Sequence, residues 1–204
     1  MKDVYRMGIM IRDGWIESAE RCPSPNHNDR PETAVPELLV IHNISLPPKR
    51  FGGGYIQQFF QNKLDQDAHP YFAGIAGLTV SAHLLIQRDG TLIQFVPFDK
   101  RAWHAGQSEY CGRTECNDFS IGIELEGADD IPYTRQQYVS LAEVTASLIR
   151  QYPELNADAL TGHSDIAPGR KTDPGDAFNW NYYRELLNLE QRVQPDSADQ
   201  KEIT

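Results

Sequence analysis

The chain has 204 residues, 40% of them hydrophobic, which supplies one substantial core and does not ask for two domains. Its formal net charge of −10 excludes the clustered Lys/Arg surface that nucleic-acid binding requires. No stretch approaches the roughly 20 consecutive apolar residues of a membrane span, so neither nucleic acid nor membrane is an expected partner, and nothing points to an obligate protein partner.

Residues 1–20 interleave Lys2, Asp3, Arg6, Arg12, Asp13, Glu17 and Glu20 with apolar side chains, so no signal peptide is read there and a cytoplasmic protein is expected. Residues 1–14 read as an amino-terminal extension, with Met7 or Met10 as alternative starts. Three cysteines, Cys22, Cys111 and Cys116, are an odd number and too few for a disulfide framework, so free thiols are expected. Cys111 and Cys116 also lack the second pair that a structural zinc site would need.

Residues 38–41 are a short apolar run that includes β-branched Val40 and Ile41, ended by His42 and Pro47-Pro48, and predict a buried strand with His42 at its carboxyl end. After the flexible break at Phe51-Gly52-Gly53-Gly54, residues 55–64 carry Ile56, Phe59, Phe60 and Leu64 at helical spacing. Residues 80–87 and 91–96 flank Arg88-Asp89-Gly90, whose Asp-Gly predicts a hairpin. Residues 120–126 alternate Ile121, Ile123 and Leu125 with Gly122, Glu124 and Glu126, the period of a half-buried strand. Residues 134–152 predict a helix started by the Thr134 cap and stopped by Pro153, and 180–189 a last helix. The whole is an α/β domain over 15–190, followed by a polar, flexible tail over 191–204.

Chemistry concentrates in two places. The segment from Gly162-His163 to Lys171-Thr172-Asp173-Pro174-Gly175, taken with His42, offers two imidazoles, a carboxylate and a lysine, with Pro168 and Pro174 fixing the later loop. Three N/O ligands without a fourth protein ligand are the composition of a catalytic zinc site. His27, His69 and His83 are read as structural or peripheral. Glu124 falls on the face opposite the Ile/Leu set, where it either meets water or lines a cleft; from pattern alone surface exposure is the plainer reading. Lys100-Arg101 and Arg170-Lys171 concentrate positive charge and, if they met in a cleft, would receive an anionic peptide; solvated surface is the alternative.

In order along the chain, His42-Asn43-Ile44-Ser45-Leu46-Pro47-Pro48, Val80-Ser81-Ala82-His83, Arg101-Ala102-Trp103-His104-Ala105-Gly106, the run from Asn117 to Gly127, and Gly162-His163 through Gly175 resemble the zinc N-acetylmuramoyl-L-alanine amidases. More narrowly they resemble the cytoplasmic branch that acts on 1,6-anhydro-muropeptides in cell-wall recycling. The resemblance implies a central mixed β-sheet flanked by helices. It implies one zinc ion per chain on His42, His163 and Asp173, Glu124 as acid/base residue, Lys171 beside the reacting carbonyl, and Asn43, Trp103 and His104 as substrate contacts. It also implies an anhydro-muropeptide substrate. Ser164 and Gly169 depart from residues common in that branch and match no ligand. Two rival readings stand beside it: an amidase of intact peptidoglycan, which predicts a signal peptide or wall-binding segment, and a non-catalytic peptidoglycan-recognition module, which predicts a lost ligand.

Overall fold

Two seven-residue strands, Leu38–Ile44 and Ser120–Glu126, run parallel at the centre of a six-stranded mixed sheet in a computed structural model that describes residues 8–193. The sheet order is Leu160–Gly162, Leu38–Ile44, Ser120–Glu126, Leu84–Ile86, Leu92–Gln94, Glu20–Arg21. All neighbours are parallel except the hairpin pair Leu84–Ile86 and Leu92–Gln94, joined through Asp89-Gly90 as its turn residues predict.

Alternation along the central strands sorts side chains to two faces. Leu39, Ile41, Ile121, Ile123 and Leu125 pack against Leu141, Leu148, Tyr183 and Leu187 of the helices Arg135–Gln151 and Trp180–Val193. Leu38 and Val40 face the other way, against Ala105, Cys116, Phe119 and Ile166. Each such large apolar side chain contributes about 1.5–3 kcal/mol on burial. Because both faces are covered, Ser120–Glu126 is buried along its whole length, not half-buried as its alternation predicts.

The helix Arg135–Gln151 starts at the predicted cap: Thr134 Oγ1 accepts from Gln137 N at 3.1 Å and Gln137 Oε1 accepts from Thr134 N at 3.1 Å. The helix predicted over 55–64 covers only Tyr55–Phe60. Asn62 adopts a left-handed φ of 58°, while Asn62 N and Lys63 N bond back to Phe59 O and Gln58 O, a Schellman ending made without glycine.

Ile9 and Ile11 pack on the main core ahead of residue 15, and the last helix runs through 190 to Val193. Half of the extension, 1–7, and most of the tail, 194–204, lie outside the described residues. Among the described residues no helix is long and apolar enough to cross a membrane.

Candidate metal centre and catalytic cleft

Parallel register assembles the centre. Glu124 pairs with His42 and Gly162 pairs with Ile41, so His163, the residue after Gly162, emerges beside His42 at the carboxyl ends of adjacent strands. Carboxyl ends of parallel strands are where open α/β sheets place their ligands. Gly162 must lack a side chain, since a Cβ there would lie 2.8 Å from Pro174 Cδ. That close approach, with Ser164 N bonded to Asp173 O at 2.9 Å, brings the Asp173 loop back over the strand end.

The outcome is a triangle. His42 Nδ1, His163 Nδ1 and Asp173 Oδ2 lie 3.0 Å apart along each edge. His163 Nε2 is 3.0 Å from the Ala105 carbonyl, an acceptor only, so Nε2 carries the proton and Nδ1 is left as a ligand atom. Two ring nitrogens and a carboxylate oxygen converging with no hydrogen bond to share among all three suit a divalent cation. Among the described residues these three form the one group so disposed, and none of the free cysteines belongs to it.

Electrostatics follow from depth. Burial lowers the His42 pKa to about 4, opposed by the Asp173 carboxylate and reinforced by His163. Burial works to raise Asp173, yet its close contacts with His163 and His42 outweigh it and hold this carboxyl well below the usual range. The His42 ring thus sits in the form that can ligate a metal. Glu124 moves the other way: burial first, then the Asp173 charge, raise its pKa well above the ordinary value, against the pull of Lys171. Its Oε2 is buried without a hydrogen-bond partner. Glu124 is therefore no surface carboxylate; it is 8% exposed and lines the cleft.

The cleft, about 740 Å³, lies over the triangle. Its lining joins an apolar set, Leu46, Phe59, Tyr71, Ile75, Leu78 and Val80, to a polar set that includes Lys49, Asp129, Asp130, Arg170, Lys171 and Thr172. Asn43 and Trp103 also line it: Asn43 Nδ2 donates to Asp129 Oδ1 at 2.7 Å, and Trp103 Nε1 donates to Asn28 Oδ1 at 2.6 Å. His104 lines the cleft as well. Its Nδ1 is 2.9 Å from His42 Nε2 and its Nε2 is 3.2 Å from Ser120 Oγ, so both ring nitrogens face protein.

The two basic clusters do not meet. Lys100 pairs with Asp29, and Arg101 with Asp118 at 2.5 Å and Glu115 at 3.4 Å, while Arg170 and Lys171 line the cleft. Arg170 donates to Ala105 O at 2.7 Å and Gln107 O at 2.5 Å, bracing the loop that holds His163. His69 caps a short helix, Pro70–Ala73, by accepting from Tyr71 N at 3.1 Å, and His83 joins strand to loop by accepting from Gly122 N at 3.0 Å; both are structural, as their sequence setting implies. Asp129, which ties Asn43 to Thr172 Oγ1 at 2.5 Å, was not singled out by any motif. Gly122 had a visible signal: an isolated glycine inside a strand pattern marks close backbone approach.

Comparison with known proteins agrees with this geometry. Residues 32–176 match the family model described as N-acetylmuramoyl-L-alanine amidase. The chain is 55% identical, over 96% of its length and 100% of the relative's, to the 1,6-anhydro-N-acetylmuramyl-L-alanine amidase AmpD of Enterobacter cloacae. A crystal structure of a selenomethionine AmpD derivative superposes with a TM-score of 0.86 at 57% identity, covering 88% of this chain and 99% of that one. The structure of AmpDh3 from Pseudomonas aeruginosa in complex with anhydromuramic pentapeptide matches at 27% identity and a TM-score of 0.55, covering 80% of this chain and 70% of that one.

Proposed function

This chain belongs to the N-acetylmuramoyl-L-alanine amidase family, and from that premise we propose that it hydrolyses the amide between 1,6-anhydro-N-acetylmuramic acid and the L-alanine of muropeptides recycled from the cell wall. The observation that carries the reading is the 3.0 Å triangle of His42, His163 and Asp173 beside a buried carboxylate, Glu124, with an unpartnered oxygen. We take the metal to be one zinc ion per chain, because two imidazoles and one carboxylate form a three-ligand catalytic set. Zinc bound there supplies Lewis acidity to the scissile carbonyl and lowers the pKa of water to about 7.

The chain's own groups do the rest. Glu124 takes one proton from the attacking water as oxygen adds to the carbonyl carbon, then delivers it to the L-alanine nitrogen as the C–N bond breaks. Burial fits it for this task, since a raised pKa brings its acid and base forms nearer in energy at neutral pH. Lys171 places a positive charge where the carbonyl oxygen becomes anionic, help worth about 10²–10³ in rate. The products are the free muramyl carboxylic acid and a stem peptide with a free amine.

The mixed lining suits a substrate with one uncharged, bicyclic sugar end and one anionic peptide end. We assign the apolar set to the sugar and Arg170 with Lys171 to the peptide side, with Asn43 and Trp103 as further contacts. We place the activity in the cytoplasm, on soluble anhydro-muropeptides. A mass-spectrometric assay comparing anhydro-muropeptide with intact sacculi tests this: faster turnover of the soluble substrate is expected, and preference for sacculi would overturn it.

A further inference from the structure

Behind His42 stand three groups whose protons have one arrangement that satisfies every contact. The Cys116 carbonyl can only accept, so the Ser120 hydroxyl 2.5 Å away donates to it. With that proton committed, Ser120 Oγ accepts at its other contact, from His104 Nε2 at 3.2 Å. An imidazole with its one proton on Nε2 has a bare Nδ1, and His104 Nδ1 lies 2.9 Å from His42 Nε2, which must carry the proton between them. His42 then keeps its lone pair on Nδ1, the atom facing His163 and Asp173.

The chain also holds this line mechanically. A Cβ on Gly122 would lie 2.4 Å from His104 Cγ, so the imidazole rests on bare backbone of the Ser120–Glu126 strand. Asn117 Oδ1 accepts from His104 N at 3.0 Å and Ala105 N at 2.8 Å, which fixes the base of the same side chain. An imidazole that ligates zinc is neutral, so the His42 ring has a single proton to place.

We propose that His104 is a positioning residue for the metal centre: the relay from Cys116 through Ser120 and His104 fixes His42 in its Nε2–H tautomer and aims its Nδ1 lone pair at the His163–Asp173 pair. The proposal rests on reading the triangle as a zinc site. Groups that hold a ligand's second nitrogen set its tautomer, and their loss weakens metal binding by about 10–100-fold. His163 has its own tether at Ala105 and serves as an internal control.

The test uses the full chain with ¹⁵N-labelled histidine, zinc-free, in long-range ¹H–¹⁵N NMR near neutral pH, together with zinc affinity from chelator competition. The wild type should show His42 and His104 both protonated at Nε2. His104→Phe should weaken zinc binding by about 10–100-fold and leave His163 at Nε2–H. His104→Asn, whose Oδ1 can accept where Nδ1 did, should restore most of the affinity. A His104 proton on Nδ1 in the wild type, or a folded His104→Phe chain that binds zinc as tightly as the wild type, would overturn the proposal. The wild-type spectrum decides it even where the Phe variant does not fold. A wild-type chain with no zinc affinity would instead overturn the metal reading itself.

Discussion

Glu124 stands directly opposite His42 in the parallel pairing of the two central strands, so both side chains leave the same face of the sheet one strand spacing apart, about 4.8 Å. His42 turns its Nδ1 toward His163 and Asp173, whereas Glu124 contributes no atom to that triangle and keeps an unpartnered oxygen. In the proposed mechanism, ligands and proton carrier are thereby separate residues held by one register, and their substitutions should separate too.

Glu124→Gln should retain the metal and near-normal KM while kcat falls by about 10²–10⁴, the range for a lost general acid/base. The same change removes an ionisable group from a buried site where it has an unpartnered oxygen, so the variant should unfold at no lower temperature than the wild type. Zinc stoichiometry, steady-state kinetics and a thermal melt measure all three. A near-normal kcat would assign the proton transfer elsewhere.

Asp173→Ala and His163→Ala should lose both zinc and activity, because each deletes a vertex of the triangle. Chelation of the wild type should abolish turnover and added zinc should restore it. Full activity at verified zero zinc would remove the metal from the mechanism.

Lys171→Met should lower kcat by about 10²–10³ with zinc content unchanged, since its charge is wanted most when the carbonyl oxygen becomes anionic. A rise in KM with kcat intact would instead make Lys171 a substrate-binding cation of the cleft.

The proposed ligand set was legible as a cluster in the sequence because its members sit at punctuated places: His42 at the end of an apolar run, and His163 and Asp173 in a loop bracketed by Pro168 and Pro174. The alternation over 120–126 placed Glu124 on the correct face but not its burial, which depends on the 101–119 segment folding across that face. His104 lines the cleft, but a motif shows which residues occur together and not where a ring nitrogen points. The Tyr55–Phe60 helix stopped early at Asn62, whose left-handed ending needs no Gly or Pro signal. Lys100 and Arg101 were visible as charges, but their partners Asp29, Asp118 and Glu115 come from separate segments.

Gly122→Ala should disturb the metal centre from outside it. The added Cβ meets the His104 ring at 2.4 Å, a clash with a ring already tied at both nitrogens, so the variant should lose about 1–3 kcal/mol of stability in urea unfolding. Zinc affinity should fall with it, because His104 cannot shift without moving from His42. A variant with normal stability and normal zinc affinity would mean that the ring has a second resting place.

Acid should destabilise the metal-free protein earlier than carboxylate titration alone would cause. Burial pushes His83 down to about 3 and His42 to about 4, and holds His104 well below its ordinary value, whereas the unfolded chain protonates all three near 6.5. The unfolded state therefore binds more protons below pH 6.5, and stability present above that pH is lost as pH falls toward the folded values. Glu124 opposes this, since its raised pKa makes the folded state bind the extra proton above 4.5 and so favours folding on acidification in that window. Asp173, shifted downward, acts only below 3.8. Three imidazoles act against one carboxyl, so acidification below pH 6.5 is expected to be net destabilising. Urea unfolding at several pH values below about 6.5 measures the slope, and His83→Gln should reduce it by about one proton, about 1.4 kcal/mol per pH unit. An unchanged slope in that variant would show that His83 takes up its proton in the folded chain as readily as in the unfolded one.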